Sequence, residues 1–269
     1  LISEFAFPMP ATVIAHILGV PPKDLEKFRA WSNDLATVIG NSRKVENRFD
    51  IGTRALLNLT EYFRETVSIR SGSGFAGRLI DELIESHNAD GIMTKDELIG
   101  TCILILFAGH ETTMHLIGNG VALLLKNPAE HEKIQANPAL IPTMVEEVLR
   151  YESSVFAIVR VAKEAIELGG KKIAKGDRVF LMLSSANHDP KHFSSPEQFD
   201  VTRSPNRHLS FGYGIHFCIG AQLARVEAEI AFSRLLPLLK VSRLVSDKLD
   251  WDDNFVLRGV KTLRIQKSP

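Results

Sequence analysis

Phe211-Gly-Tyr-Gly-Ile-His-Phe-Cys218-Ile-Gly220 sets one cysteine in a loop punctuated by glycines, directly ahead of a helix-like run over residues 221–230. Glycine lets the backbone turn where other residues cannot, and lets a flat group approach closely. A helix N-terminus behind the loop offers unpaired N–H groups and a positive dipole end. Both favour a thiolate over a thiol. A thiolate presented in this way is a nucleophile or a metal ligand, and the rest of the chain decides which.

The 269 residues carry 32 Lys+Arg against 32 Asp+Glu and are 45% hydrophobic. That composition is ordinary for a globular protein and long enough for one large domain or two modest ones. The balanced charge gives no global field for nucleic acid or an anionic membrane. No apolar run reaches membrane-spanning length, and the first residues lack the sections of a signal peptide. Two cysteines, Cys102 and Cys218, are too few for a disulfide framework and point to a reducing, cytoplasmic setting. The chain opens on Leu1 rather than Met, which reads as a piece of a longer protein or a truncation.

Helical spacing predicts helices over 10–19, 23–38, 45–68, 75–86, 128–136 and 141–151, with a flexible break at 70–74. Thr94-Lys-Asp-Glu97 is a capping box opening a long apolar helix to about residue 126, expected to run through the middle of the fold. The character changes after residue 152. Short strands are predicted over 155–161, 165–168, 171–173 and 178–183, then an aperiodic stretch over 189–207, one helix to residue 239 and closing strands. The expected class is mainly α with a small β part, in a single domain over 1–269 that is helical over 1–152 and β-rich over 153–269.

Inside the long helix, Ala108-Gly-His-Glu-Thr-Thr113 is a poor choice for an apolar core. One reading is a groove, in which Gly109 makes room for a flat ligand while Glu111 and Thr112 deliver protons. The other is a kinked helix with hydroxyls bonded back to carbonyls. Cys102, at an apolar position of the same helix, reads as a core residue. Glu147 and Arg150, three apart on a helix, pair on one face, and in isolation read as a solvated surface pair. At the cysteine loop, Cys–His catalysis would use His216 or His208, yet side chains two apart on a tight turn seldom meet. A zinc site would need further cysteines or clustered histidines. An iron porphyrin held from one side by a thiolate fits the apolar, glycine-lined loop.

The ordered set Ala108-Gly-His-Glu-Thr-Thr113, Glu147-x-x-Arg150 and Phe211-x-x-Gly214-x-His216-x-Cys218-x-Gly220 resembles the cytochrome P-450 haem-thiolate monooxygenases, bacterial soluble type. Ala186-Asn-His-Asp-Pro190 and Asn206-Arg-His-Leu-Ser-Phe211 match that branch too. The resemblance implies a cytochrome P-450-like fold with haem b (iron protoporphyrin IX) ligated by Cys218. Phe211 and Gly212 would lie beside the sulfur, Gly214 would permit the turn, and Ala108 and Gly109 would flank the cofactor. Arg160, His208 and His216 would contact the propionates, and Glu111 and Thr112 would be the acid–alcohol pair. Glu147 and Arg150 would form a structural triad with Arg203, since Gln198 stands where many members carry arginine. Leu104, Ile105, Ala108, Phe156, Ala157 and Ile158 would line the substrate groove.

The implied activity inserts one oxygen atom of O2 into a small apolar organic substrate. Electrons would come from a ferredoxin- or flavodoxin-like donor docking near Arg207 and Arg225. The alternatives are a truncated haem-binding scaffold without turnover, or a peroxygenase using hydrogen peroxide. The resemblance also implies a further block of helices ahead of Leu1, so that the chain is N-terminally incomplete.

Overall fold

A computed structural model describes residues 1–39, 45–71, 78–90 and 93–268. A π-helical turn at Ile2–Ala6 leads into α1 (Pro8–Ile17), which ends where Gly19 takes a φ of +70° and Pro21 and Pro22 forbid continuation. A 3₁₀ turn (Pro22–Asp24) opens α2 (Leu25–Ile39), which packs along α3 (Arg48–Arg70). Phe28, Trp31, Tyr62 and Phe63 join these two helices through mostly edge-on ring contacts, with centroids 4.8–6.2 Å apart. Arg70 forks onto Asp81 of α4 (Leu79–Asp90) at 2.7 and 2.8 Å. The expected break at 70–74 lies, from residue 72 on, outside the described residues, as does the start of the helix expected over 75–86.

The capping box forms. The Glu97 carboxylate accepts from Thr94 N–H at 2.8 Å, the Thr94 hydroxyl accepts from Glu97 N–H at 3.2 Å, and α5 (Lys95–Lys126) runs on from there. Then come α6 (Pro128–Ala136) and α7 (Ile141–Tyr151). Strands β1 (Ala157–Val161), β2 (Ile166–Leu168), β3 (Lys171–Ile173) and β4 (Arg178–Met182) follow. Leu183, read from sequence as the end of a strand, instead opens the short α8 (Leu183–Ala186). Residues 187–220 hold no regular element beyond a 3₁₀ turn at Gly214–His216. The chain closes with α9 (Ala221–Leu239), β5 (Ser242–Leu244), β6 (Asp250–Trp251), β7 (Val260–Thr262) and β8 (Ile265–Lys267). The strands pair antiparallel in twos: β1 with β4, β2 with β3, β5 with β8 and β6 with β7. Mainly α with a small β part is what the sequence pattern requires. Among the described residues no helix is long and apolar enough to cross a membrane.

Contacts divide the chain into two compact units, with a boundary inside α5. The first holds Leu1–Gly118, Leu249–Asn254 and Val260–Arg264. Its N-terminus is pinned where the Leu1 ammonium donates to Leu263 O at 3.1 Å, and Asn254 Nδ2 donates to Ala36 O at 3.2 Å. The second holds Asn119–Lys248, Phe255–Gly259 and Ile265–Pro269. There α7 packs on α9, and Asn119 Nδ2 donates to Glu152 O and Arg258 O at 3.2 and 3.0 Å.

Two glycines of α5 separate packing from propensity. A Cβ at Gly120 would run into the Phe232 ring of α9, whereas at Gly100 it would meet nothing within 4 Å. Gly120→Ala is therefore expected to lose about 1–3 kcal/mol to overpacking. Gly100→Ala should gain up to about 1 kcal/mol, because alanine costs less backbone entropy in a helix. Denaturant unfolding of the two variants checks both signs.

Candidate haem-thiolate site

The second unit builds its site from α7. Glu147 and Arg150 both have 0% exposure, so the surface-pair reading of this motif gives way to a buried one. Arg150 Nε and Nη2 donate to the Glu147 carboxylate at 2.8 and 2.9 Å. Its remaining N–H groups reach Asn187 O, Pro196 O and Gln198 O at 2.9–3.1 Å. Arg203 Nε lies 3.1 Å from Glu147 Oε2, and its fork donates to Ser194 O, Ser195 O and Gln198 O at 2.8–3.1 Å. Asp200 N–H and Asn206 Nδ2 complete the carboxylate, each at 3.0 Å. A second knot joins the Asn187 amide to Ser153 Oγ, Ser210 Oγ and Leu209 N–H at 2.8–3.0 Å. Asn187, Asn206 and Ser210 sit inside segments the sequence singled out, yet only the assembled loop reveals their partners.

Glu146 has no sequence signal. It accepts from Arg225 Nε at 2.6 Å and sits 3.1 Å from His208 Nε2. Burial alone would raise its pKa, but the His208 and Arg225 hydrogen bonds outweigh that and bring it down to about 2. Two expectations change here. His208 has both ring nitrogens engaged, Nε2 with Glu146 and Nδ1 with Ser210 N–H at 3.2 Å, so it has no free donor for a propionate. Arg225 is clamped on Glu146 and stacked 4.5 Å over the Phe211 ring, so it is not a free surface charge for a redox partner.

The cysteine loop hangs from this framework. Gly212 and Gly214 take φ of +74° and +69°, which only glycine adopts without strain. Phe211 O accepts from Cys218 N–H at 2.8 Å, and Gly220 caps α9 by accepting from Ala224 N–H at 2.9 Å. The Cys218 thiol is exposed, as are Phe217, Ile215 and Ile219, the last fully. Arg160 is exposed on β1 and donates only to Val159 O, and His216 makes no hydrogen bond among the described residues. Of the groove residues, Phe156 and Ile158 are half-buried, but Ala157 is completely buried and lines no open surface. A lone sulfur ligand, bare apolar side chains and two uncommitted cationic or donor groups fit an iron porphyrin with its propionates.

In the first unit, α5 turns Leu104 and Ala108 outward, with Ile105 and Thr112 half-buried. Thr112 Oγ1 donates to Ala108 O at 3.1 Å within an unbroken helix. Gly109 makes room for a side chain rather than a cofactor, because a Cβ there would sit 2.7 Å from Ile14 of α1. Cys102 is core, and burial pushes its thiol up to about 12. Glu111 is buried between His110 and His115, at 3.7 and 3.6 Å. Burial, then the negative charge of Asp252, pushes its carboxyl up to about 7, while burial and then His110 push His115 down to about 4.

These two shifts act on stability in opposite directions. Glu111 keeps its proton in the folded chain up to about pH 7, whereas an unfolded glutamate loses it near 4.5, so its contribution falls as pH rises across that window. Folded His115 stays neutral down to about pH 4 while the unfolded ring binds a proton below 6.5, so its contribution rises with pH. Each shift corresponds to roughly 3 kcal/mol at most. Glu111→Gln is expected to match the parent protein near pH 4 and to exceed its stability by up to about 3 kcal/mol near pH 8. Chemical unfolding at the two pH values reads the difference.

Comparison with known proteins gives this geometry a family. A family profile described as Cytochrome P450 matches residues 28–264. The chain is 40% identical over 265 residues to the Biotin biosynthesis cytochrome P450 of Bacillus subtilis (strain 168), covering 98% of this chain and 66% of that one. It is 38% identical over 267 residues to Cytochrome P450 CYP107DY1 of Priestia megaterium, covering 98% and 64%. The crystal structure of P450BioI in complex with hexadec-9Z-enoic acid ligated Acyl Carrier Protein superposes with a TM-score of 0.93 at 39% identity, covering 99% of this chain and 68% of that one. The chain thus spans 64–66% of the length of these curated relatives. On the matched profile, the relatives and the thiol loop together, the chain belongs to the cytochrome P450 family.

Proposed function

We propose that the protein carrying this chain is a haem-thiolate monooxygenase that inserts one oxygen atom of O2 into a small apolar organic substrate. The observation that carries the reading is the Cys218 thiol, bare on a glycine-turned loop that α7 anchors through the Glu146–Arg225 ion pair and the Arg225 stack on Phe211. Cys218 would ligate the iron of haem b, with Phe211 and Gly212 beside the sulfur and Arg160 and His216 meeting the propionates. When bound, the haem supplies the redox-active iron at which O2 is reduced. Every other task falls to the chain. Glu111 holds a dissociable proton, and Thr112 presents its hydroxyl to pass that proton on. Leu104, Ile105, Ala108, Phe156 and Ile158 offer apolar surface to a substrate and keep water away from it.

Electrons would come from a separate ferredoxin- or flavodoxin-like donor in the cytoplasm, with exposed Arg207 rather than Arg225 among its contacts. The names of relatives, one in biotin biosynthesis and another a Steroid C26-monooxygenase, are compatible with an apolar substrate.

Reducing the purified protein under carbon monoxide is expected to give the strongly red-shifted Soret band of thiolate-ligated haem, and Cys218→Ser to abolish it. Loss of haem, or a band at the position of histidine ligation, sinks the assignment for this chain. Thr112→Ala should keep the band and lower product formed per electron on the order of tenfold, with the missing electrons recovered as hydrogen peroxide. Unchanged coupling removes Thr112 from proton delivery.

A further inference from the structure

The acid–alcohol assignment leaves two imidazoles without a task. His110 Nε2 stands 3.7 Å from Glu111 Oε2, and His115 Nε2 stands 3.6 Å from Oε1, so the carboxyl lies between two rings of its own helix. All three residues are buried. His110 Nδ1 lies 2.7 Å from Leu106 O, a carbonyl that can only accept, so Nδ1 carries the hydrogen. Its Nε2 is then a bare lone pair, and neither it nor Glu111 Oε2 has a hydrogen-bond partner among the described residues. An ionised Oε2 there would face only the lone pair of His110 Nε2, whereas a protonated Oε2 can donate to it.

The two rings differ in what lies beyond them. His110 is sealed by the Phe7 ring, edge-on with centroids 5.6 Å apart. His115, with Glu111, lines a cavity of about 420 Å³. The charged groups on its walls are Arg29 from α2 and Asp252, Asp253 and Lys261 from the residues around β6 and β7, while Ile2 and Phe7 bring none.

We propose that His110 and His115 bracket Glu111 in its acid form, and that His115 is the ring through which this acid trades its proton with the cavity. The catalytic use of that proton rests on the oxygenase reading; the bracket itself does not. In the exchange, a proton taken up from cavity water at one nitrogen of His115 is matched by the proton the other nitrogen delivers to Glu111 Oε1. The ring is left neutral in its other tautomer, and charge and protons balance. The Glu111 carboxyl pushed up to about 7 and the His115 ring pushed down to about 4 leave the proton on the acid. His115 acts through Glu111 and is a positioning residue, not a catalytic one.

Infrared difference spectroscopy on the purified protein tests this without turnover. A carbonyl-stretch band of a buried carboxylic acid is expected at pH 6, absent from Glu111→Gln and fading with a midpoint near pH 7. Its hydrogen–deuterium exchange should slow on the order of tenfold or more in His115→Phe and stay unchanged in His110→Phe. His115→Asn is read in the same way if His115→Phe does not fold. No band at pH 6, equal exchange in parent and His115 variants, or equal slowing by both histidine variants overturns the proposal. A normal band and exchange pattern in a protein lacking the thiolate-type carbon monoxide spectrum defeats the oxygenase reading alone.

Discussion

A carboxylate with no exposure to water sits at the root of the second unit. Glu147 would be intolerable alone, since removing one partner of a buried ion pair strands a charge at a cost of about 3–5 kcal/mol. It is tolerable because two guanidinium groups, a backbone N–H and the Asn206 amide all donate to it. The same helix carries Glu146, which holds His208 and Arg225. Arg225 lies over Phe211, and the Phe211 carbonyl accepts the Cys218 N–H. A series of contacts therefore runs from Glu146, next to Glu147 on α7, through Arg225 and Phe211 to Cys218. The position of the sulfur depends on them.

Much of this was legible because it is local. The capping box at Thr94, the stops at Gly19 and Asn127, and the bounds of α6 and α7 depend on neighbours a few residues away. The glycines at 212 and 214 likewise announce a turn whose φ values the structure then supplies. The misreadings share an opposite cause. Gly109 looked like space for a ligand because nothing in sequence says that Ile14, almost a hundred residues upstream, fills it. His208 and Arg225 looked free because Glu146 carries no motif of its own. Ala157 stood among the groove residues by resemblance, and an apolar strand position does not by itself say whether it faces a groove or the core. Arg203 was nominated by elimination, and its hydrogen bonds to Glu147 arise from a loop that no periodicity describes.

The long helix illustrates a different tension. Apolar nearly throughout, it tolerates His110, Glu111 and Thr112 in succession because each finds a separate outlet. Thr112 bonds back to Ala108 O, His110 to Leu106 O, and Glu111 opens on the cavity beside His115. The helix stays unbroken because Thr112 Oγ1 and His110 Nδ1 bond to carbonyls that lie along its own length, without interrupting its backbone ladder.

The arginine fork of Arg150 has one more implication. Outside Glu147, its partners and those of Arg203 are main-chain carbonyls, at residues 187, 194, 195, 196 and 198. A carbonyl is the same whatever side chain its residue bears. By these bonds the segment is gripped by its contour and not by its spelling, so where a side chain makes no bond of its own the letter is free to drift while the length is not. Replacing Glu197 or Gln198 leaves every acceptor where it was, whereas deleting either one shifts the carbonyls beyond it out of register with two rigid guanidinium planes.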